Sequence, residues 1–398
     1  MPVLPDPANM LTWNYEEKLT AFQNMAGLFS VNSVDNDQNN IYPLPRGETV
    51  KDISYQYDGL QLSLSDYLER QRVAGLLVIK DGEIVTEIYR QGTDETTHWT
   101  SWSVGKSVVS TLVGIAIRGG FIHDVDDFVT DYVPELRGSA YSMVTLRHML
   151  QMSSGVAWSE DPSTAEPNVR TFAACLARQT TDSILDIAKR LPRAYNIAAG
   201  KDHEPGTRWN YSNVEAFLVG LALERATGFR ISQYLQAHIW KPFGMEKPAW
   251  WMTEGPGGAN SGAGDFSAIL RDYGRIGQFI LDGGVLPGGQ STLPEHWLSE
   301  ATTWGPHTYD PIYPTAQPGR YGYFWRNHPV EARMEACPKT TQVADSTFWA
   351  AGLFGQYIAI NPVTRLVMVQ WAVYDAPPVD DLVMETATLF NGFTLATQ

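Results

Sequence analysis

Cysteine is scarce in this chain, with two residues in 398, and no pair has the spacing of a metal-binding or redox motif. Cys175 and Cys337 lie far apart, so the sequence does not indicate a disulfide framework. The eight histidines show no His-Glu-x-x-His spacing. The acidic stretch 124–127 lacks the rest of a calcium-binding loop. We therefore expect no metal and no cofactor.

Long apolar runs are also missing. The longest, Val108–Ile117, is ended by Arg118 and is too short to cross a bilayer. The first seven residues have neither the basic segment nor the apolar segment of a secretory signal. We expect a soluble, cytoplasmic protein with no membrane partner, although the mature form of a secreted protein would read the same way.

Positive charge is in short supply. The 29 Lys and Arg residues face 44 Asp and Glu residues, which gives a formal net charge of -15. Such a field repels phosphate backbones, so nucleic acid is a poor partner. A small molecule is the expected ligand, and the sequence leaves both a monomer and a homodimer open.

The pattern of apolar residues divides the chain into segments of different kinds. Residues 1–60 are rich in Asn, Asp and Pro and predict an irregular N-terminal arm. The β-rich runs Leu76–Ile79 and Ile84–Tyr89 flank Asp81-Gly82, which is a strong hairpin signal. Helical spacing begins at Ser103 and recurs in several later segments. These are 103–117, 145–152, 181–190, 214–227, 231–240 and 265–281.

Strand patterns return after about residue 318, at 321–326, 348–351, 357–360 and 366–374, and a last helical run covers 379–390. A sheet built from both ends of the chain with a helical part inserted between them accounts for this order. We predict an α/β domain, 61–100 plus 318–398, and a mostly helical domain, 101–317. The active site is expected in the cleft between them.

Ser103 and Lys106 stand at i and i+3 at the start of the first predicted helix, where their side chains can touch. A neutral lysine can take the serine proton, and the helix N-terminus stabilises negative charge that develops on or near Ser103. The motif Ser-x-x-Lys alone is weak evidence, because a chain of this length contains about one by composition.

A second motif, Tyr211-Ser212-Asn213, follows a Pro205-Gly206 turn and leads into a helical run. A tyrosine there can act as general acid or base between the serine and the leaving group. The amide of Asn213 can hold a lysine ammonium or a substrate carbonyl.

A third motif is the small-residue stretch Ala350–Gln356 between two β-rich runs. Small residues and glycines within a strand mark close approach of a ligand backbone. A free N–H of such an edge strand, together with the N–H of Ser103, can form an oxyanion hole.

In this order the three motifs resemble the serine β-lactamase and penicillin-binding superfamily, with its S-x-x-K, Y-x-N and K-T-G signatures, over about residues 65–395. The phrases 132–136 and 352–356 look closest to the 6-aminohexanoate-dimer hydrolase and family VIII carboxylesterase group. The resemblance implies a β-lactamase/transpeptidase-like fold, an antiparallel sheet flanked by helices with a large helical insert. It also places the second oxyanion donor at the Leu353 N–H.

The chain departs from the superfamily at the third motif. Ala350-Ala351-Gly352 stands where the superfamily has K-T-G, so the lysine and threonine that hold a β-lactam carboxylate are absent. A carboxylate bound there would be desolvated without a partner. We therefore expect small esters or amides as substrates and little β-lactamase activity.

Other residues near the motifs are assigned supporting roles. They are Trp102, Trp158, Asn213, Gly352, Phe354 and Gln356, expected to line or support the substrate pocket. Most tryptophans are core residues, and a few of these side chains can line an apolar acyl pocket. Glu160 and Asp161 are candidates for orienting an amine or amide group at the rim of the cleft.

The sequence predicts a serine hydrolase that forms an acyl-enzyme on Ser103, with Lys106 and Tyr211 as general base and acid and a small ester as substrate. The first alternative is an amide hydrolase of the 6-aminohexanoate-dimer type. Less favoured alternatives are a β-lactamase, a non-catalytic penicillin-binding sensor and an inactive scaffold. No G-x-S-x-G elbow is present to support an α/β-hydrolase triad.

Overall fold

A computed structural model describes residues 3–165, 168–303, 321–327, 346–375 and 380–398. The predicted hairpin is present as strands β4 (Val73–Lys80) and β5 (Glu83–Tyr89), which pair antiparallel. Asp81 and Gly82 at the turn have φ angles of 51° and 84°. Two consecutive positive φ angles match the twist of the flanking strands, which is why Asp-Gly is favoured at this position.

The hairpin forms one side of a six-stranded antiparallel sheet that also takes strands from the C-terminal part of the chain. These strands are β11 (Arg326–Asn327), β12 (Phe348–Gly352), β13 (Gln356–Asn361) and β14 (Leu366–Ala372). The strand order is β11-β12-β13-β14-β4-β5, so β14 joins the two parts of the chain by pairing with β4. The strand predicted at 321–326 begins only at Arg326, while Cys337 and Val379 lie outside the described residues.

One helix, α11 (Leu270–Leu281), packs across β4, β13 and β14. Two of its glycines face the sheet. A Cβ on Gly274 would lie 2.5 Å from Leu77, and one on Gly277 would lie 2.4 Å from Val367. Their missing side chains let the helix axis approach the strands closely, because helix–sheet distance is set by the side chains at the contact.

The helix α4 (Val104–Arg118) is the centre of the core. Every residue from Val104 to Ala116 is buried, which fits a helix that is apolar on nearly all sides. It packs against β12 and against the helix α9 (Asn213–Thr227). The first turn of α4, which carries Ser103 and Lys106, is therefore held from several directions.

The other helices surround these elements. They are α1 (Tyr15–Phe22), α2 (Met25–Leu28), α3 (Leu64–Arg70), α5 (Val129–Tyr132), α6 (Leu146–Leu150), α7 (Val169–Leu176), α8 (Ile184–Arg190), α10 (Ile231–Leu235), α12 (Trp297–Ala301) and α13 (Asp380–Ala396). The helix predicted over 231–240 changes after Leu235 into a π-helical segment, Gln236–Gly244. Pro242 lies inside that segment, and its ring cannot donate a backbone hydrogen bond.

A second sheet is built from the strands β1 (Val31–Val34), β6 (Trp99–Thr100), β9 (Ala249–Met252) and β10 (Phe266–Ala268). Its strand order is β1-β9-β10-β6. The prediction of a helix beginning at Asp265 is wrong at its start, because residues 266–268 form β10 and the helix begins at Leu270. Two short ribbons complete the strands: β2 (Ser54–Tyr57) with β3 (Leu60–Ser63), and β7 (Tyr195–Asn196) with β8 (Lys201–Asp202).

The N-terminal arm is more ordered than the sequence predicted. Instead of irregular structure, it contains α1, α2 and β1, and β1 pairs with β9. Phe22 at the end of α1 is fully buried. Its ring packs against those of Trp99, Trp102 and Phe354, with 5.5–5.7 Å between ring centres. The weak periodicity of this segment hid the helix, because only a few positions of a short helix are buried.

In the described residues, no helix has both the length and the apolar character needed to cross a membrane. The same residues contain no cluster of three or more His, Cys, Asp and Glu side chains suited to holding a metal ion.

Candidate active site

Ser103 occupies the N-cap position of α4, immediately after a sharp change of chain direction. The preceding residue, Trp102, has a φ of 45° although it is not a glycine, and its side chain is buried. Left-handed backbone at a bulky residue is strained and persists only where the surroundings hold it. Here Ser101 donates to the Trp102 carbonyl at 2.8 Å, and the Trp102 ring packs on Phe22 and Phe354.

Lys106 lies one helical turn after Ser103 and is 1 % exposed. Its Nζ donates to Ser103 Oγ at 2.8 Å, to Asn213 Oδ1 at 2.6 Å and to the Ala263 carbonyl at 2.7 Å. These three acceptors match the three N–H bonds of an ammonium. A neutral amine in the same place keeps the contacts to Asn213 and Ala263 and presents its lone pair to the Ser103 hydroxyl.

The Ala263 carbonyl reaches Lys106 because the loop 261–265 approaches the start of α4 very closely. A Cβ on Gly264 would lie 2.1 Å from the Trp102 carbonyl oxygen, and one on Gly105 would lie 2.7 Å from the Gly264 Cα. Gly264 also has a φ of +119°, which favours glycine. The sequence analysis missed this loop, and its signal is the run of small residues Ser261-Gly262-Ala263-Gly264.

The aromatic ring of Tyr211 also lies close to Lys106. Lys106 Nζ lies 5.1 Å from the centre of the Tyr211 ring, and the guanidinium carbon of Arg326 lies 5.3 Å from it. Tyr321 packs against it edge to face. In the described part of the chain, the ring face of Tyr211 rather than its hydroxyl meets Lys106. Proton transfer through the Tyr211 hydroxyl therefore stays a prediction.

Asn213 is the first residue of α9 and points its side chain at Lys106. The helix is capped by Ser212, whose hydroxyl accepts from the Glu215 N–H at 3.3 Å. The other side of the Asn213 amide faces Glu160, since Glu160 Oε2 accepts from Asn213 Nδ2 at 2.7 Å. Glu160 thus lies against the second motif, while the neighbouring Asp161 is exposed.

Three carboxyl groups lie close to this constellation. Burial raises the pKa of Glu160 and that of Asp265, and the positive charge of Lys106 opposes both shifts. Burial also raises the pKa of Glu215 to about 8, against the effect of a hydrogen bond from Ser154. Glu215 Oε2 is buried and has no hydrogen-bond partner among the described residues.

The end of β12 runs beside the segment that precedes α4. A Cβ on Gly352 would lie 2.5 Å from the Ser101 carbonyl oxygen and 3.1 Å from the Ser103 nitrogen. Only glycine allows the two backbones to come this close. The next residue is Leu353, so the two predicted oxyanion donors belong to segments in direct contact.

The remaining residues predicted to line or support the pocket make packing contacts and hydrogen bonds with neighbouring segments. Phe354 has a φ of 60° and packs on Phe22, with Lys18 Nζ 4.1 Å from its ring centre. Gln356 is buried, donates to the Leu353 carbonyl at 3.0 Å and accepts from Trp99 at 2.9 Å. Trp158 is buried too, and its indole N–H donates to Glu160.

Comparison with known proteins identifies the family. The family model described as "Beta-lactamase" matches residues 63–390, so the chain belongs to the beta-lactamase family. A curated relative is the "6-aminohexanoate-dimer hydrolase" of Paenarthrobacter ureafaciens. It is 29% identical over 248 residues, which are 61% of this chain and 60% of the relative. The chain therefore matches about three fifths of the length of that relative.

Solved structures share the fold. The "Putative 6-aminohexanoate-dimer hydrolase from Bacillus anthracis" aligns with a TM-score of 0.80 and 18% identity over 99% of both chains. A family VIII carboxylesterase aligns with a TM-score of 0.59 and 16% identity, over 81% of this chain and 95% of the other. The predicted superfamily and the β-lactamase/transpeptidase-like fold are both confirmed.

Replacement of Gly264 tests the role of the close loop. In Gly264→Ala the new methyl meets the Trp102 carbonyl, so the loop must shift and withdraw the Ala263 oxygen from Lys106. We expect labelling of Ser103 by a fluorophosphonate to slow by about 100-fold, the size of loss that a small misplacement causes. The control is Gly257→Ala, which also has a positive φ but nothing within 4 Å of its Cβ. Equal labelling rates for the two variants would contradict the role of the loop.

The buried carboxyl of Glu215 predicts a dependence of stability on pH. Between the ordinary carboxyl value of 4.5 and about 8, the native state holds a proton that the unfolded chain has lost. Native stability therefore falls as the pH rises through this window. We expect urea unfolding to show wild type losing stability relative to Glu215→Gln between pH 5 and pH 8. Groups common to both proteins cancel in this difference, and parallel curves would show that Glu215 does not titrate in this way.

Proposed function

We propose that this member of the beta-lactamase family is a serine hydrolase that cleaves a small ester through an acyl-enzyme on Ser103. The observation that carries the proposal is the buried Lys106 amine, 2.8 Å from Ser103 Oγ and held by two further acceptors. A nucleophile and a base within hydrogen-bond reach, with the base oriented by further groups, is the arrangement that covalent catalysis requires.

In the proposed acylation step the Lys106 amine takes the Ser103 proton while Oγ bonds to the ester carbonyl carbon. The tetrahedral intermediate then expels the alkoxide, which receives the proton from the Lys106 ammonium. Water attacks the acyl-enzyme in the second half, with the same amine as base, and releases the acid and the free serine. Asn213 and Ala263 accept from the amine throughout, so its direction does not change.

The oxyanion is assigned to the N–H groups of Ser103 and Leu353. The contact between Gly352 and the Ser103 backbone supports this assignment, because it keeps the two donor segments together. Trp102 and Phe354, which both have left-handed backbone conformations, adjoin the two donors. Their rings pack on each other with 5.5 Å between ring centres. Donors fixed before the reaction stabilise developing charge without reorganisation.

Two features favour an ester over other acyl substrates. Ala350 and Ala351 offer no side-chain donor for the carboxylate of a β-lactam. An amine leaving group must be protonated before it departs, whereas an alkoxide demands less help. Tyr211, the residue predicted to give that proton, meets Lys106 through its ring face.

The second candidate function is hydrolysis of a linear or cyclic amide. The likeness to the 6-aminohexanoate-dimer hydrolase relative favours it, because that match and the full-length structural match carry the same name. It requires Tyr211 or Lys106 to protonate the departing amine.

Burst kinetics with p-nitrophenyl acetate test the acyl-enzyme. We expect a burst of p-nitrophenol followed by steady turnover, and an acetyl adduct on Ser103 by intact mass. Ser103→Ala should lose both phases. A burst that stops would favour an acyl-binding sensor, no burst would favour an inactive scaffold, and undiminished turnover in Ser103→Ala would refute the scheme.

A matched pair of substrates separates ester from amide hydrolysis. With butyrate as the common acyl group, we expect kcat/KM for the p-nitrophenyl ester to exceed that for the p-nitroanilide by about 10²–10⁴-fold, the usual contribution of general acid catalysis. The linear dimer of 6-aminohexanoate, assayed beside them by release of free amine, probes the second candidate. A kcat/KM for that dimer above the value for the ester would make the amide the preferred substrate.

A further inference from the structure

The carboxylate of Glu160 makes three contacts, and two of them are with Asn213. Oε2 accepts from the side-chain Nδ2 at 2.7 Å, and Oε1 accepts from the backbone N–H at 2.9 Å. The third donor is the indole N–H of Trp158, which also reaches Oε1. Both oxygens are therefore in use, which leaves the amine-binding role expected at the rim of the cleft without support.

The side-chain amide of Asn213 has an oxygen that accepts and a nitrogen that donates. Lys106 needs the oxygen, and Glu160 needs the nitrogen. Lys106 Nζ donates and must face the amide oxygen, whereas a carboxylate only accepts and must face the amide nitrogen. The observed orientation satisfies both, with Oδ1 at 2.6 Å from Nζ. A flipped amide would set the Nδ2 donors against the Lys106 N–H groups and Oδ1 against the carboxylate.

Glu160 is itself held in place by its surroundings. Trp158, which donates to it, is buried, and the Trp158 carbonyl accepts from Asn210 at 3.1 Å. The segment 158–160 is thus tied to the segment 210–213 that carries the second motif. The backbone N–H of Asn213 is one of the unpaired donors at the start of a helix, where a negative charge is stabilised.

We propose that Glu160 is a positioning residue that fixes the Asn213 amide with Oδ1 toward Lys106 and thereby keeps the lysine amine directed at Ser103. Among the described residues, Glu160 makes no hydrogen bond to Ser103 or Lys106, so its positioning effect passes through Asn213, beside the attraction between its charge and that of Lys106. The inference rests on the proposed function, since it concerns the activation of Ser103.

A charge-conserving exchange of the two side chains tests the proposal. In Glu160→Gln the new Nε2 stands where Oε2 accepted, and two donors face each other across the Asn213 contact. In Asn213→Asp two carboxylates face each other. In the double variant, the introduced glutamine keeps Oε1 for the backbone and indole donors. Its Nε2 donates to one oxygen of the introduced aspartate, whose other oxygen accepts from Lys106. The hydrogen-bond pair is restored with its direction reversed and the net charge unchanged.

The readouts are fluorophosphonate labelling of Ser103 and the kcat and KM for p-nitrophenyl acetate. We expect each single variant to lower the labelling rate and kcat by about 10- to 100-fold with little change in KM, because a small misdirection of a reacting group has an effect of this size. The double variant should recover to within about fivefold of wild type, the coupling expected of residues in contact. Glu95→Gln, which makes the same substitution at an exposed residue that takes part in none of these contacts, should match wild type.

Two results would overturn the proposal: a Glu160→Gln variant as active as wild type, or a double variant no better than the poorer single one. Failure of the proposed function is a separate result. In that case the wild-type protein is not labelled by the fluorophosphonate and does not hydrolyse p-nitrophenyl acetate. Should the exchange variants not fold, Trp158→Phe removes one donor to Glu160 and leaves its charge. A several-fold loss of labelling rate then supports the proposal, and an unchanged rate refutes it.

Discussion

The buried amine of Lys106 is the constraint on which the rest of the site depends. A charged or polar nitrogen at 1 % exposure must find acceptors inside the protein, because an unpaired one costs several kcal/mol. Its three acceptors come from Ser103, Asn213 and Ala263, which lie at the start of two helices and in a loop before a strand. Burying this one nitrogen therefore fixes the relative positions of three separate parts of the chain.

Close backbone contacts make that convergence possible. Gly264 against Trp102 and Gly352 against Ser101 each leave no room for a Cβ atom, and both contacts lie beside Ser103. The N-terminal arm completes the support, since Phe22 packs against the rings of Trp102 and Phe354. The family match begins at residue 63, so this support comes from outside the matched region. It also holds two left-handed residues whose strain needs dense packing around them.

The third motif combines a close backbone contact with small side chains. Gly352 keeps the backbone approach that an oxyanion hole needs, and Ala350 and Ala351 remove the side chains that would hold an anionic group. The backbone part of the site depends on the missing Cβ, while the substrate part depends on which side chains are present. One can change without the other, which is why family membership does not by itself fix the substrate.

The sequence by itself determined what depends on neighbours along the chain. The hairpin at Asp81-Gly82, the helix that begins beside Ser103 and the i, i+3 pairing with Lys106 all follow from local geometry, and the order of the three motifs indicated the family. The sequence also offered Asn213 as a partner of the lysine, and the tertiary structure alone decided the remaining contacts around the two residues. In the sequence, Ala263 lies 157 residues from Lys106, and Glu160 lies 53 residues from Asn213. Neither has a periodic signal, because contacts of this kind arise from how distant segments pack.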